Sequence, residues 1–142
     1  MAKKAGFPGK LQVDDAVPTL RDISNDVTSV EFGTSRGLQD ITGLDKSAME
    51  RLLLLSDGKV SIKGVFNDAA NLSHDVFKTV TSSGGTRTVT IDPAGTVSGS
   101  ARLSMEMLFS SYELSRGEDG SLTWTAEGQL SDGTVPTWTT VP

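Results

Sequence analysis

Gly33-Thr34-Ser35-Arg36-Gly37 has the spacing of a nucleophile elbow, G-x-S-x-G, which holds a serine on a sharp strand-to-helix turn. Such a serine needs a histidine base and an acid oriented behind it. The single histidine, His74, stands between Ser73 and Asp75 at what reads as a helix start, where small polar residues collect to cap free N–H groups. No helical pattern follows Gly37 and no βαβ alternation surrounds it, so Ser35 reads as a solvated loop residue. One histidine and no cysteine cannot build a His/Cys metal set. Asp14-Asp15 and Glu118-Asp119 are acid pairs at turns, without the alternating oxygen ligands of a calcium loop. Gly84-Gly85 lacks the lysine of a phosphate-binding loop. Asn71-Leu72-Ser73 is formally a glycosylation sequon, meaningful only in a secreted protein. Trp124 and Trp138 could stack on sugar rings, although a tryptophan on the apolar side of a strand is ordinarily core. No catalytic constellation is complete, and neither enzyme, metal nor cofactor is expected.

Composition narrows the remaining classes. The 142 residues suit one domain, and 15 glycines against 36% hydrophobic residues suit a β chain with many turns. A formal charge of −5 disfavours a grip on phosphate backbones, which takes clustered lysine and arginine. No run approaches the roughly 20 apolar residues that cross a bilayer. Met1–Gly6 carries two lysines with no apolar run behind them, unlike a secretory leader.

The elements that would position any site are strands. Ala101, Leu103, Met105, Met107 and Phe109 alternate with polar residues, then the phase slips to Tyr112 and Leu114. Period two marks a strand with one buried face, and a one-residue slip marks a bulge near Ser110–Ser111. Leu122, Trp124, Ala126 and Leu130 form the returning strand, with Glu118-Asp119-Gly120 as the turn. The first strand would run roughly 50 Å, against a domain diameter of roughly 37 Å, so this hairpin should overhang its core and leave edges for neighbouring copies. Val27–Phe32 reads as a strand and residues 33–46 as a long loop. Ser47–Glu50 reads as one helical turn. Arg51–Leu55 and Lys59–Phe66 read as a hairpin about Asp57-Gly58, Asn71–Val80 as the one amphipathic helix, and Thr86–Ile91 as a strand. Residues 1–17 and 131–142 read as arms.

The middle of the chain resembles a known family. Asp22-Ile23-Ser24-Asn25-Asp26-Val27-Thr28-Ser29-Val30-Glu31-Phe32 leads through a polar stretch to Asp40-Ile41-Thr42-Gly43-Leu44, then to Leu54-Leu55-Ser56-Asp57-Gly58-Lys59-Val60-Ser61-Ile62-Lys63-Gly64-Val65-Phe66-Asn67. This order is similar to that of the tail tube (major tail) proteins of long-tailed bacteriophages. Leu53-Leu54-Leu55-Ser56 stands where that pattern often has proline and glycine before the leucine.

The resemblance implies a mainly β fold, a β-sandwich or partial barrel with one flanking α-helix and a long protruding hairpin. It implies a structural virion protein, made in the bacterial host cytoplasm, whose hexameric rings stack into a tube for DNA. Partners would be copies of itself, tape-measure and tail-terminator proteins, and double-stranded DNA passing without sequence-specific binding, with no membrane. An acidic bore would let DNA slide, and the polar face of the long hairpin offers Glu106, Glu127 and Gln129 as lumen-lining candidates. Ser35, Arg36, Leu38 and Asp40 in the polar loop are candidates for ring stacking. A carbohydrate- or surface-binding β-sandwich, and a related tube or head decoration protein, are the competing readings.

Overall fold

The computed structural model describes residues 9–131 and 133–142. It is mainly β: strands β1 (Lys10–Asp14), β2 (Leu20–Asp22), β3 (Val27–Asp40), β4 (Arg51–Val65), β5 (Arg87–Asp92), β6 (Ala101–Arg116), β7 (Leu122–Leu130) and β8 (Trp138–Thr140), with short helices α1 (Ser73–Phe77) and α2 (Val80–Ser83). All strand pairs are antiparallel and belong to one sheet in the order β2-β1-β5-β6-β7-β4-β3. The sheet curls without closing into a barrel, which leaves β2 and β3 as its margins. Leu103 pairs with Ile91 of β5 and with Trp138 of β8. Each strand has two edges, so β8 lies end to end with β7 along the second edge of β6.

The concave face holds the core. Leu103, Met105, Met107 and Phe109 of β6 meet Val60 and Ile62 of β4, Trp124 and Ala126 of β7, and Val89 and Ile91 of β5. The expected bulge is present: Phe109 pairs with Gly128 and Ser111 with Glu127, so Tyr112 returns to the core side opposite Ala126. Phe77 of α1 closes the open side, with ring centroids 5.1 Å from Phe109 and from Trp124 and 5.7 Å from Tyr112.

Gly64 lies where the sheet is tightest. A Cβ there would run into the Asp26 carbonyl and approach Trp124 to 2.8 Å. Trp124 in turn donates its indole N–H to the Val65 carbonyl at 3.0 Å. Buried Asp26 accepts from Asn67 Nδ2 (2.9 Å) and from the Ser73 backbone N–H (3.0 Å), anchoring the first turn of α1 to the start of β3.

Several sequence expectations need correction. Residues 33–40 are strand, not loop, because β3 stays paired with β4 through Asp40↔Arg51. Arg51–Leu55 and Lys59–Phe66 are not two strands about a turn, since Asp57 and Gly58 pair with Ser35 and Thr34 inside the continuous β4. Gly58 serves packing there: a Cβ would come within 2.9 Å of Met105 Sδ. Ser47–Glu50 forms no helical turn. The helix over 71–80 is two pieces, because buried Arg87 Nη1 captures the Val76 carbonyl at 2.8 Å, the acceptor that Val80 N–H would need in a continuous helix. Within the expected arms, Lys10–Asp14 is sheet-bound between β2 and β5, and Trp138–Thr140 pairs with β6. The rest of the N-terminal arm, residues 1–8, lies outside the described residues, as does Asp132.

Candidate functional site

Two surfaces stand out. The first is the distal half of the β3–β4 hairpin. Leu38, Ile41, Leu44, Met49, Leu52, Leu53, Leu54 and Leu55 are all exposed, Leu55 to 90% and Leu44 fully. Isolated exposed leucines are ordinary, but eight exposed apolar residues gathered on one hairpin make a candidate interaction surface. Sequence reading placed Leu52–Leu55 in a strand and missed that the run is exposed. No local signal separated the two cases, because an unbroken apolar run reads equally as a strand buried on both faces.

The hairpin is a built structure. Between Arg36↔Ser56 and Leu38↔Leu53 the register shifts by one residue, which places Gly37 opposite the extra residue of β4. Arg36 Nε donates to the Leu54 carbonyl at 2.7 Å, satisfying an acceptor that the bulge releases from the ladder. At the tip, Asp40 Oδ1 accepts from the Thr42 N–H (2.9 Å) and hydroxyl (2.6 Å). Thr42 Oγ1 also accepts from Glu50 N–H at 2.8 Å, and the Ile41 N–H donates to the Glu50 carbonyl. The Thr42 hydroxyl and N–H hold the Asp40 carboxyl below its ordinary pKa. Of the four candidates placed here, Arg36, Leu38 and Asp40 share one strand face, while Ser35 points to the other opposite Asp57. Arg36 and Asp40 shape the hairpin, and Leu38 is exposed on it.

The second surface is the convex face of the sheet. Ser61 of β4 pairs with Glu31 on one side and Glu127 on the other, and Lys59 pairs with Gln129, which pairs with Leu108. Glu106 shares that face two residues from Leu108, and its carboxylate accepts from Thr88 Oγ1 at 2.6 Å. The structure therefore brings Glu106, Glu127 and Gln129 onto one face, as the hairpin pattern requires. It also interleaves Lys59 and Lys63 from β4, neighbours that the β6–β7 hairpin alone could not reveal.

The residues that could have done chemistry have structural positions. The G-x-S-x-G segment lies inside a strand, with no turn at Ser35. His74 Nδ1 meets the Tyr112 hydroxyl at 3.0 Å, and its ring packs on Phe66. Burial of Tyr112 pushes its phenol up to about 12. Asp14 Oδ2 accepts from the Thr88 N–H, and Asp15 pairs with Arg21 at 2.9 Å. Asp119 accepts from the Ser121 N–H in the β6–β7 turn. Trp124 is core, and half-exposed Trp138 lays its ring 5.9 Å from that of Phe32. Among the described residues no group of three or more His, Cys, Asp or Glu could hold a metal ion, and no helix is long and apolar enough to cross a membrane.

Neither a known protein family nor a curated protein sequence matches the chain. Solved structures do share its fold. A chain from the tail of an empty gene transfer agent particle, determined with helical refinement and C6 symmetry, superposes with a TM-score of 0.77 at 13% identity, covering 96% of this chain and 99% of that one. A chain from the virion of a native gene transfer agent particle gives a TM-score of 0.70 at 14% identity, covering 91% and 95%.

Proposed function

We propose that this chain is the tail tube subunit of a phage-like particle, a structural component with no chemistry of its own. Copies close into six-fold rings that stack into a hollow tail, through which double-stranded DNA passes without sequence-specific contact. The observation that carries the reading is the fold match to a gene transfer agent tail chain over nearly the full length of both chains. Six-fold closure follows the C6 symmetry of that neighbour. An open sheet with two margins and an apolar hairpin gains most by meeting identical copies, since a repeated head-to-tail contact closes rings or extends filaments.

In this assembly the β3–β4 hairpin, with Leu38 and the leucines of β4, makes contacts between rings, and its bulge clip Arg36 and tip residue Asp40 hold its shape. Glu106, Glu127 and Gln129 face the bore together with Glu31, and Lys59 and Lys63 moderate the negative field. Tape-measure and tail-terminator proteins would meet the tube inside and at its end. The protein would be made in the bacterial host cytoplasm and end in the virion tail.

Electron microscopy of the concentrated protein tests the proposal directly: hollow rods or rings are expected, and uniformly monomeric particles at millimolar concentration would overturn it. Charge reversal at Glu106 and Glu127 to lysine should slow DNA ejection from assembled particles; unchanged ejection would remove both from the bore.

A further inference from the structure

At the seam where the sheet fails to close there is a cleft of about 570 Å³. Leu11 of β1 and Ile91 of β5, with Pro93, form one wall, and Val27, Val30 and Phe32 of β3 form the other. That size falls in the range of built binding pockets, and the lining is largely apolar. The exposed leucines lie at the far end of the β3–β4 pair, whose β3 forms the second wall. Resting on the tube reading, we propose that this seam cleft is the socket for the leucine hairpin of a neighbouring copy, with Leu53 and its neighbours seated between β1 and β3.

Geometry excludes the hairpin of the same chain. Val30 and Leu38 belong to one continuous paired strand and stand roughly 26 Å apart at about 3.3 Å per residue. The hairpin cannot fold back on its own seam without unpairing β3 from β4. The total accessible surface of the eight exposed hairpin residues, both faces together, amounts to roughly 900 Å², the same order as the ~800 Å² per partner that a stable specific interface buries. Knob and socket occupy different places on one chain, so each docking leaves a free knob and a free socket, and the contact propagates. Among the described residues the seam is left open, and a second copy fills it.

The chain has no cysteine, so engineered pairs report the contact cleanly. Leu53→Cys and Ser29→Cys, both at exposed positions, are made as separate proteins, each checked for folding by circular dichroism. Mixed under assembly conditions and oxidised, they should give at least ten-fold more disulfide dimer than either alone or than Leu53→Cys mixed with Thr123→Cys. Hollow rods without the mixed disulfide would overturn the socket while leaving the tube reading in place. A lack of both rods and disulfide would remove both. The chain's own N-terminal segment is the competing occupant: if Phe7→Cys/Ser29→Cys closes an intramolecular disulfide at high dilution and suppresses the mixed dimer, the socket assignment is wrong.

Discussion

Replacing Leu53 and Leu55 together by aspartate separates folding from assembly. Their side chains are 58% and 90% exposed in the subunit, so the folded monomer loses little packing and its stability should stay within about 0.5 kcal/mol. In a tube contact the two leucines would bury roughly 200 Å² of apolar surface, which at about 25 cal/mol per Å² amounts to ~5 kcal/mol for each contact. Because about 1.4 kcal/mol is a factor of ten, the concentration at which tubes appear should rise by at least three orders of magnitude. Desolvating the new carboxylates pushes it further in the same direction. The assay pairs sedimentation or light scattering across a concentration series with thermal melting of the monomer. Tubes forming at the parent concentration would refute the hairpin's role. A large drop in melting temperature would instead mean that the leucines pack within the subunit.

Other consequences concern the fold that holds the hairpin. Gly64→Ala should cost at least ~3 kcal/mol in denaturant unfolding, because its Cβ meets backbone at Asp26 and the ring of Trp124; a change under about 1 kcal/mol would show that this junction yields. Tyr112 is the only tyrosine, so an ultraviolet titration of the folded protein reads it alone and should show a midpoint near 12. Its folded pKa lies above the ordinary 10.0, so its contribution to stability is complete below pH 10 and is lost as pH rises toward 12; a midpoint near 10 would contradict its burial beside Phe77 and His74. The Thr42 amide resonance should follow the Asp40 carboxyl with a midpoint below 3.8, the tip network holding above that value and loosening as pH falls through the lowered pKa. A midpoint above 3.8 would mean that Thr42 does not hold the carboxylate.

Much of the architecture was legible locally. The alternation from Ala101 to Phe109, its slip and its return through Leu122–Leu130 located β6, the bulge and β7, because period two and its phase are properties of a single strand. The same pattern put Glu106, Glu127 and Gln129 on one face. Where the reading failed, the deciding partner was distant in sequence. Glycines at 33, 37 and 58 look like turn punctuation, yet all three lie within strands, and Gly58 is small because Met105 approaches it from another strand. The helix over 71–80 broke because Arg87, well downstream, took the Val76 carbonyl.

The amino-acid sequence alone determined the strand class and the amphipathic faces of β6 and β7, since these depend on residue type and spacing along the chain. Tertiary structure alone decided that residues 33–40 pair into a long hairpin, that the leucines of β4 face solvent, and that the sheet stops short of closure beside an apolar cleft. Burial is a relation between segments, so Leu52–Leu55 read the same in sequence whether they fill a core or wait for a neighbour. Only the placement of β1, β5 and β7 showed that the core was already complete without them.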